Sequence, residues 1–376
     1  ELLRRLVAFD SVSRNSNHPI ADFIADYLDR PGVRIERQLS DDGEKVNLIV
    51  TVGPEPGPEA QGLTLSGHMD VVPADEPEWT GSPFELRETE DRWIARGACD
   101  MKGFVALAVN AAASVDADTL RSPLALVLTF DEELGTLGAH HFVRRWPANR
   151  PLPRCAVIGE PTSLKAVRMH KGHASGRLVV RGTAAHSGYP HLGHSAVEPL
   201  GRAIVALSEL RRQLEEERSA HSRYFSKVPF VALSMARVEA GSAINIVPEK
   251  AVMDLGWRVL PGVDSDAIAE RIRERLEEAL RGEAWIFERG SESPPMLLEE
   301  DHELNREVSK LASQTETLSA SYATDGGWMH HSGRFDCVLY GPGDISVAHR
   351  PDEWLPKDEF ERCSKDLRVL VEHFCA

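Results

Sequence analysis

Runs of apolar residues that end in polar ones recur through the first part of the chain, at 46–52, 63–66, 124–130 and 155–158. Each predicts a buried strand. Between them, segments 20–28, 102–113 and 138–146 repeat apolar positions at helical spacing, and the alternation of the two patterns predicts an α/β sheet with helices on its faces. Ligands of such sheets gather at the carboxyl ends of the strands. Here polar clusters follow the strands directly: His68-Met69-Asp70, Asp131-Glu132-Glu133 and Glu160-Pro161-Thr162.

From about Gly172 the pattern changes. It predicts a strand at 174–182, a helix at 195–217, two strands around 230–238 and 250–259, a helix at 264–280 and a strand at 284–288. That order, βαββαβ, is a split βαβ sandwich and predicts an inserted α+β domain over 172–291. The Ser-Glu-Ser-Pro-Pro segment at 291–295 predicts the return linker. A helix, a short strand at 338–340 and a closing helix at 357–374 then complete a discontinuous first domain, 1–171 with 292–376. The charged stretch 209–218 is a solvated helix face.

At 376 residues the chain can bury two cores. With 42% hydrophobic and 27% charged residues, and no unbroken apolar stretch of membrane-spanning length, it reads as a globular protein with no membrane role. Residues 1–10 read as an amphipathic helix rather than a secretory signal. The five cysteines are scattered without paired spacing, which argues against a disulfide framework or a cysteine zinc site. The expected compartment is therefore the cytoplasm. A net charge of −16 argues against nucleic-acid binding, which needs a basic surface; a field of that sign serves solubility and would draw in an amine-bearing substrate.

His68 and Asp70 alone could be a surface histidine with a turn-forming aspartate. Their company alters that reading, since Asp100, Glu132, Glu133, Glu160 and His349 also fall at strand ends or loop tips. Imidazole and carboxylate are the ligands of catalytic zinc sites that keep an open position. Two divalent ions bring four positive charges, which Asp100, Glu133, Glu160 and a bridging hydroxide would cancel. Asp70 would accept the other ring N–H of His68. Glu132 is then a spare carboxylate and a candidate general base, its alternative being an acid at a helix start.

Further segments carry a resemblance: Ser66-Gly67-His68-Met69-Asp70-Val71-Val72-Pro73, Gly97-Ala98-Cys99-Asp100-Met101-Lys102-Gly103, Asp131-Glu132-Glu133, Ile158-Gly159-Glu160-Pro161-Thr162-Ser163, His170-Lys171-Gly172, Ala185-His186-Ser187, and Gly341-Pro342-Gly343 leading to Ala348-His349-Arg350-Pro351-Asp352-Glu353. In this order and over nearly the whole length, the chain resembles the M20 metallopeptidase family, and within it the acetylornithine deacetylases. The resemblance implies a zinc-exopeptidase-like catalytic domain with a mixed central sheet flanked by helices, and a ferredoxin-like inserted domain that makes a homodimer. It implies two zinc or cobalt ions bridged by Asp100 and a water or hydroxide, with His68 and Glu160 completing one site and Glu133 and His349 the other. It also implies Asp70 behind His68, Glu132 as base and a cis Asp100–Met101 peptide. His186 would reach the partner's active site, Asn245 would help hold the oxyanion, and Arg258 would hold the substrate carboxylate. Read without the resemblance, these last three are a strand-end turn, a turn former and a surface cation.

The same resemblance implies a small-molecule substrate, N-acetyl-L-ornithine, cleaved to ornithine and acetate. Thr324-Asp325-Gly326-Gly327 departs from the Thr-Glu-Ala type of some deacetylases of that subgroup. This leaves other N-acyl amino acids (acetylcitrulline, acetyl-lysine, succinyl-diaminopimelate) or a dipeptide as alternatives, and, more remotely, a metal-binding protein without catalysis. No Gly-x-Ser-x-Gly elbow is present to support a serine hydrolase.

Overall fold

The computed structural model describes residues 1–57 and 59–376. They form two compact units, one of 1–169, 296–319 and 324–376, the other of 170–295 and 320–323. The first begins with α1 (Leu2–Val7), α2 (His18–Leu28), β1 (Val33–Leu39), β2 (Val46–Val52), β3 (Leu63–His68), β4 (Arg87–Glu88) and β5 (Arg92–Ile94). It continues through a wide turn at Ala98–Lys102, kinked out of helical geometry at Asp100 and Met101, then α3 (Gly103–Ser114), β6 (Leu124–Thr129), α4 (Leu137–Arg145), β7 (Cys155–Ile158) and β8 (Val167–His170). The second unit contains β9 (His173–Arg181), α5 (Val197–Glu216), β10 (Ala232–Ala240), β11 (Lys250–Arg258), α6 (Ser265–Ala279) and β12 (Ala284–Ser293). The chain returns through β13 (Met296–Leu297), α7 (Glu303–Leu311), β14 (Leu318–Ala320), α8 (Asp325–His331), β15 (Asp336–Leu339), β16 (Trp354–Pro356) and α9 (Lys357–Cys375).

The main sheet runs β1-β2-β6-β3-β7-β15-β8-β13, with β14 paired to β8. Its centre is parallel: β3 pairs with β6 from Leu63↔Leu124 to His68↔Thr129 and with β7 from Leu63↔Cys155 to Ser66↔Ile158, and β7 pairs in the same sense with β15. Strands buried on both faces need continuous apolar runs, which is why β2, β3 and β6 are buried at every position. The flanking edge is antiparallel, so the sheet is mixed. β1 was not among the predicted runs, because Arg34, Glu36 and Arg37 interrupt its apolar positions on a half-exposed strand. Parallel pairing brings the ends of β3, β6 and β7 to one edge, where His68, the Asp131–Glu133 segment and Glu160 follow.

The second unit is a βαββαβ layer with strand order β10-β11-β9-β12, every pair antiparallel. On α5, Leu200, Ala203, Leu207, Leu210 and Leu214 recur at helical spacing and are buried. Asp264 caps α6 by accepting the N–H of Asp266 at 2.8 Å.

Gly159, between β7 and Glu160, is held by the Cβ it lacks. An added Cβ would lie 1.9 Å from the ring of Phe104, a buried residue of α3 just beyond Asp100. Two ligand-bearing segments can therefore pack this closely only with glycine here. Gly159→Ala is expected to lower stability by about 1–3 kcal/mol, as overpacked cores do, measured by urea unfolding. An unchanged midpoint would show that α3 yields without cost.

Candidate metal centre

Asp100 follows Gly97, which takes a positive φ of 76° at the start of the wide turn, a conformation that suits glycine. The Asp100–Met101 peptide is cis. Its carboxylate faces two histidines at once: Oδ1 lies 3.1 Å from His68 Nε2 and Oδ2 lies 3.3 Å from His349 Nε2. His349 Nε2 is also 3.0 Å from the Glu133 carboxylate. Two groups of potential ligand atoms result, His68 with Asp100 and Glu160, and Asp100 with Glu133 and His349, each mutually within 4.8 Å. Asp100 belongs to both. Two imidazoles and three carboxylates, one of them shared, form a donor set suited to two divalent ions of the zinc or cobalt type, each left with an open position. The residues present fit such a pair.

Around them lies a supporting layer. His68 Nδ1 bonds to the backbone carbonyl of Asp70 at 2.9 Å, with the Asp70 carboxylate farther away at 3.7 Å. That carboxylate instead fixes the acidic loop: Oδ1 accepts the N–H of Glu132 at 3.1 Å, and Oδ2 accepts the Ser13 hydroxyl at 2.7 Å and the N–H of Glu133 at 3.3 Å. Lys45 pairs with Asp131 at 2.6 Å, anchoring the same loop. Ser13 and Lys45 were not singled out in the sequence; nothing in their local context marks them. Asp325, at the start of α8, is buried; its Oδ2 accepts from the Thr129 hydroxyl, while Oδ1 has no partner among the described residues. The segment of unusual sequence is thus a helix start, with Thr324 accepting the N–H of Gly326 at 3.1 Å.

The electrostatics are those of a site crowded with negative charge. Burial, reinforced by Asp100, pushes Glu160 well above the usual carboxylate range, and burial with the charges of Glu160 and Glu133 does the same to Glu132 against the pull of His68. Burial and Asp100 raise Glu133 to about 7. Burial works against charge on His68, but contact with Asp100 prevails and holds it well above its ordinary value. Hydrogen bonds that its ring donates to the Asp100 and Glu133 carboxylates raise His349 to about 10. Asp100 itself stays well below the usual range, since His349 and His68 outweigh its burial. Protons therefore occupy the role that cations would take.

His186, Asn245 and Arg258 belong to the second unit. His186 is exposed and bridges to Ile246, with the N–H of Ser187 donating to the Asn245 carbonyl at 2.9 Å, so the His186 and Asn245 segments are neighbours. Nδ1 of His186 accepts the N–H of Gly188 at 3.0 Å, which leaves Nε2 to carry the proton of the neutral ring. Arg258 is half-buried, which lowers its pKa, and its guanidinium has no anionic partner among the described residues. The His140-His141 and His330-His331 pairs form no metal cluster among the described residues. His140 instead stacks on Trp328 with ring centres 4.1 Å apart.

These shifts fix a sign. In the ion-free protein Glu133 stands near 7 instead of 4.5, so the folded chain holds more protons than the unfolded chain between those values, and its contribution to stability falls as pH rises through that window. His349, raised from 6.5 to about 10, contributes stability that is fully present below 6.5 and is lost as pH rises through 10. Ions require both groups deprotonated. Adding zinc to ion-free protein at pH 7 in weak buffer should release roughly one or more protons per ion, and apparent affinity should be tighter at pH 8 than at pH 6. Uptake without proton release, or tighter binding at the lower pH, would contradict the electrostatics.

A family model described as peptidase family M20/M25/M40 matches residues 64–373. An acetylornithine deacetylase of Myxococcus xanthus is 36% identical over 388 residues, spanning 99% of this chain and 96% of that protein. One of Yersinia pseudotuberculosis serotype O:1b is 33% identical, spanning 100% and 97%. Among solved structures, the M20 family metallo-carboxypeptidase Sso-CP2 of Sulfolobus solfataricus superposes with a TM-score of 0.80 at 18% identity, over 98% of this chain and 97% of that one. A dinuclear metal binding peptidase of the M20 family from Bacillus subtilis superposes with a TM-score of 0.67 at 15% identity, over 98% and 95%. At those identities the structural likeness concerns the fold, while the sequence matches over full length carry the kinship: the chain belongs to peptidase family M20/M25/M40.

Proposed function

We propose that this hydrolase is a two-metal amidohydrolase that removes the acetyl group of N-acetyl-L-ornithine to give ornithine and acetate, as in arginine biosynthesis, using zinc or cobalt. The observation that carries this reading is the pair of ligand clusters sharing Asp100, beside a carboxylate, Glu132, that no described side chain hydrogen-bonds. The full-length similarity to acetylornithine deacetylases supports the substrate, and a net charge of −16 suits one with a free amine.

When bound, the two ions would polarise the acyl carbonyl and acidify water in the site. Glu132, its backbone fixed by Asp70, would take the proton of the attacking water on its carboxylate and deliver it to the departing amine nitrogen. His186, with its proton on Nε2, and Asn245 would donate to the acyl oxygen as negative charge builds there. Arg258, unpaired by any described anion, would hold the α-carboxylate. A homodimer in which His186 serves the partner's active site belongs to the same proposal. It is supported by β10, an edge strand exposed from Arg237 to Ala240 and followed by the fully exposed Ile244, a form that invites a second copy.

Kinetics on N-acetylornithine, N-acetylcitrulline, N-acetyl-lysine, succinyl-diaminopimelate and dipeptides, with metal content measured, should give the highest kcat/KM for N-acetylornithine. A dipeptide preference would overturn the substrate assignment while leaving the chemistry. Glu132→Gln should bind ions as before and lose about 100- to 10,000-fold in kcat, the range for a general base. Near-normal turnover in that variant would remove Glu132 from the mechanism.

A further inference from the structure

Three ligand-bearing loops meet at one buried ion pair. The side chains of Arg96 and Glu353 are each 1% exposed, with Arg96 Nη1 donating to Glu353 Oε2 at 2.8 Å. The other oxygen, Oε1, accepts two backbone N–H groups, from Cys99 at 2.9 Å and from Asp100 at 3.0 Å. Arg96 also donates to the carbonyl of Pro73 at 3.1 Å, on the loop after His68, and to that of Arg350 at 3.4 Å, next to His349. Glu76 lies 3.4 Å from Nη2, and the Trp79 ring covers the guanidinium at 5.1 Å. The backbone seals the junction: Ala95 donates to the Glu353 carbonyl at 3.0 Å, and β16 pairs with β5 through Trp354↔Ile94.

A buried ion pair is a poor source of stability, because desolvation of both partners offsets their attraction and apolar replacements are often neutral. What this pair has instead is reach: it contacts the His68 loop, the Asp100 turn and the His349 loop together. We infer that Arg96 and Glu353 form a positioning pair for the metal centre, setting the shared carboxylate of Asp100 against His68 and His349 and so governing how tightly the two ions are held. The inference rests on the two-metal reading above. Outer partners of metal ligands typically contribute 10- to 100-fold in metal affinity, and Glu353 acts on the ligand that both ions share.

The test compares two double variants, in both of which Arg96 and Glu353 lose their charges together. Arg96→Met/Glu353→Gln keeps an amide oxygen for the Cys99 and Asp100 N–H groups; Arg96→Met/Glu353→Met removes it. Ion-free proteins would be titrated with zinc by calorimetry and with cobalt by absorption, and their thermal unfolding recorded without metal. The glutamine variant should bind both ions within a few-fold of wild type. The methionine variant, titrated at a temperature where its ion-free form is still fully folded, should bind them about 10- to 100-fold more weakly, with an altered cobalt spectrum. Equal metal affinities in the two variants, or a loss that only follows a fall in ion-free stability, would overturn the inference. Wild-type protein that binds no ions would instead overturn the two-metal reading itself.

Discussion

Negative charge gathered at the ends of three parallel strands is the constraint on which the rest of the structure depends. Asp70, Asp100 and Glu160 are buried within one small region, with Glu132 and Glu133 beside them. Carboxylates so placed cannot all ionise without opposite charge nearby. Two histidines held protonated supply part of that charge in the ion-free chain, and the acids themselves retain protons. Two divalent cations would replace those protons, which makes the cluster a site whose occupant is defined by electrostatics before geometry is considered.

The fold supplies the means to hold such a cluster. Parallel pairing of β3 with β6 and β7 brings segments distant in sequence to one edge, and Gly159 lets α3 approach that edge closely enough for Asp100 to stand between His68 and His349. The supporting bonds are mostly to backbone. Asp70 holds the N–H groups of Glu132 and Glu133, and Glu353 those of Cys99 and Asp100. Backbone donors in short loops are fixed by their neighbours, so a buried carboxylate that accepts two of them orients the whole loop rather than one side chain.

Much of this could be read from residue order alone, and the reason is physical. Strands buried on both faces must be continuous apolar runs, so β2, β3, β6 and β7 stood out, as did the polar clusters behind them; the change of pattern after Gly172 and the order of strands and helices that follows marked the βαββαβ layer. β1 was hidden by charged residues on a half-exposed edge. The supporting layer was hidden for a different reason. Glu353 acts on residues 253 and 254 positions earlier, and Ser13 on one 57 positions later, separations over which local patterns carry no information. His68 and Asp70 show the limit at short range: two residues apart, their pairing was expected through the carboxylate, yet the ring bonds to the backbone carbonyl and the carboxylate turns to the acidic loop. Asp325, in the segment whose sequence departs from the deacetylase pattern, is a buried acid at a helix start, tied to Thr129 beside His68, a tie across 196 positions that local sequence does not reveal.

In the proposed reading this acid cluster is a two-cation site with Asp100 shared between the ions. Anomalous diffraction from crystals grown with zinc or cobalt tests it most directly. Two peaks of comparable height are expected, one among His68, Asp100 and Glu160 and the other among Asp100, Glu133 and His349, with Asp100 contacting both. A single peak at saturating metal, or peaks whose ligands omit Asp100, would contradict it.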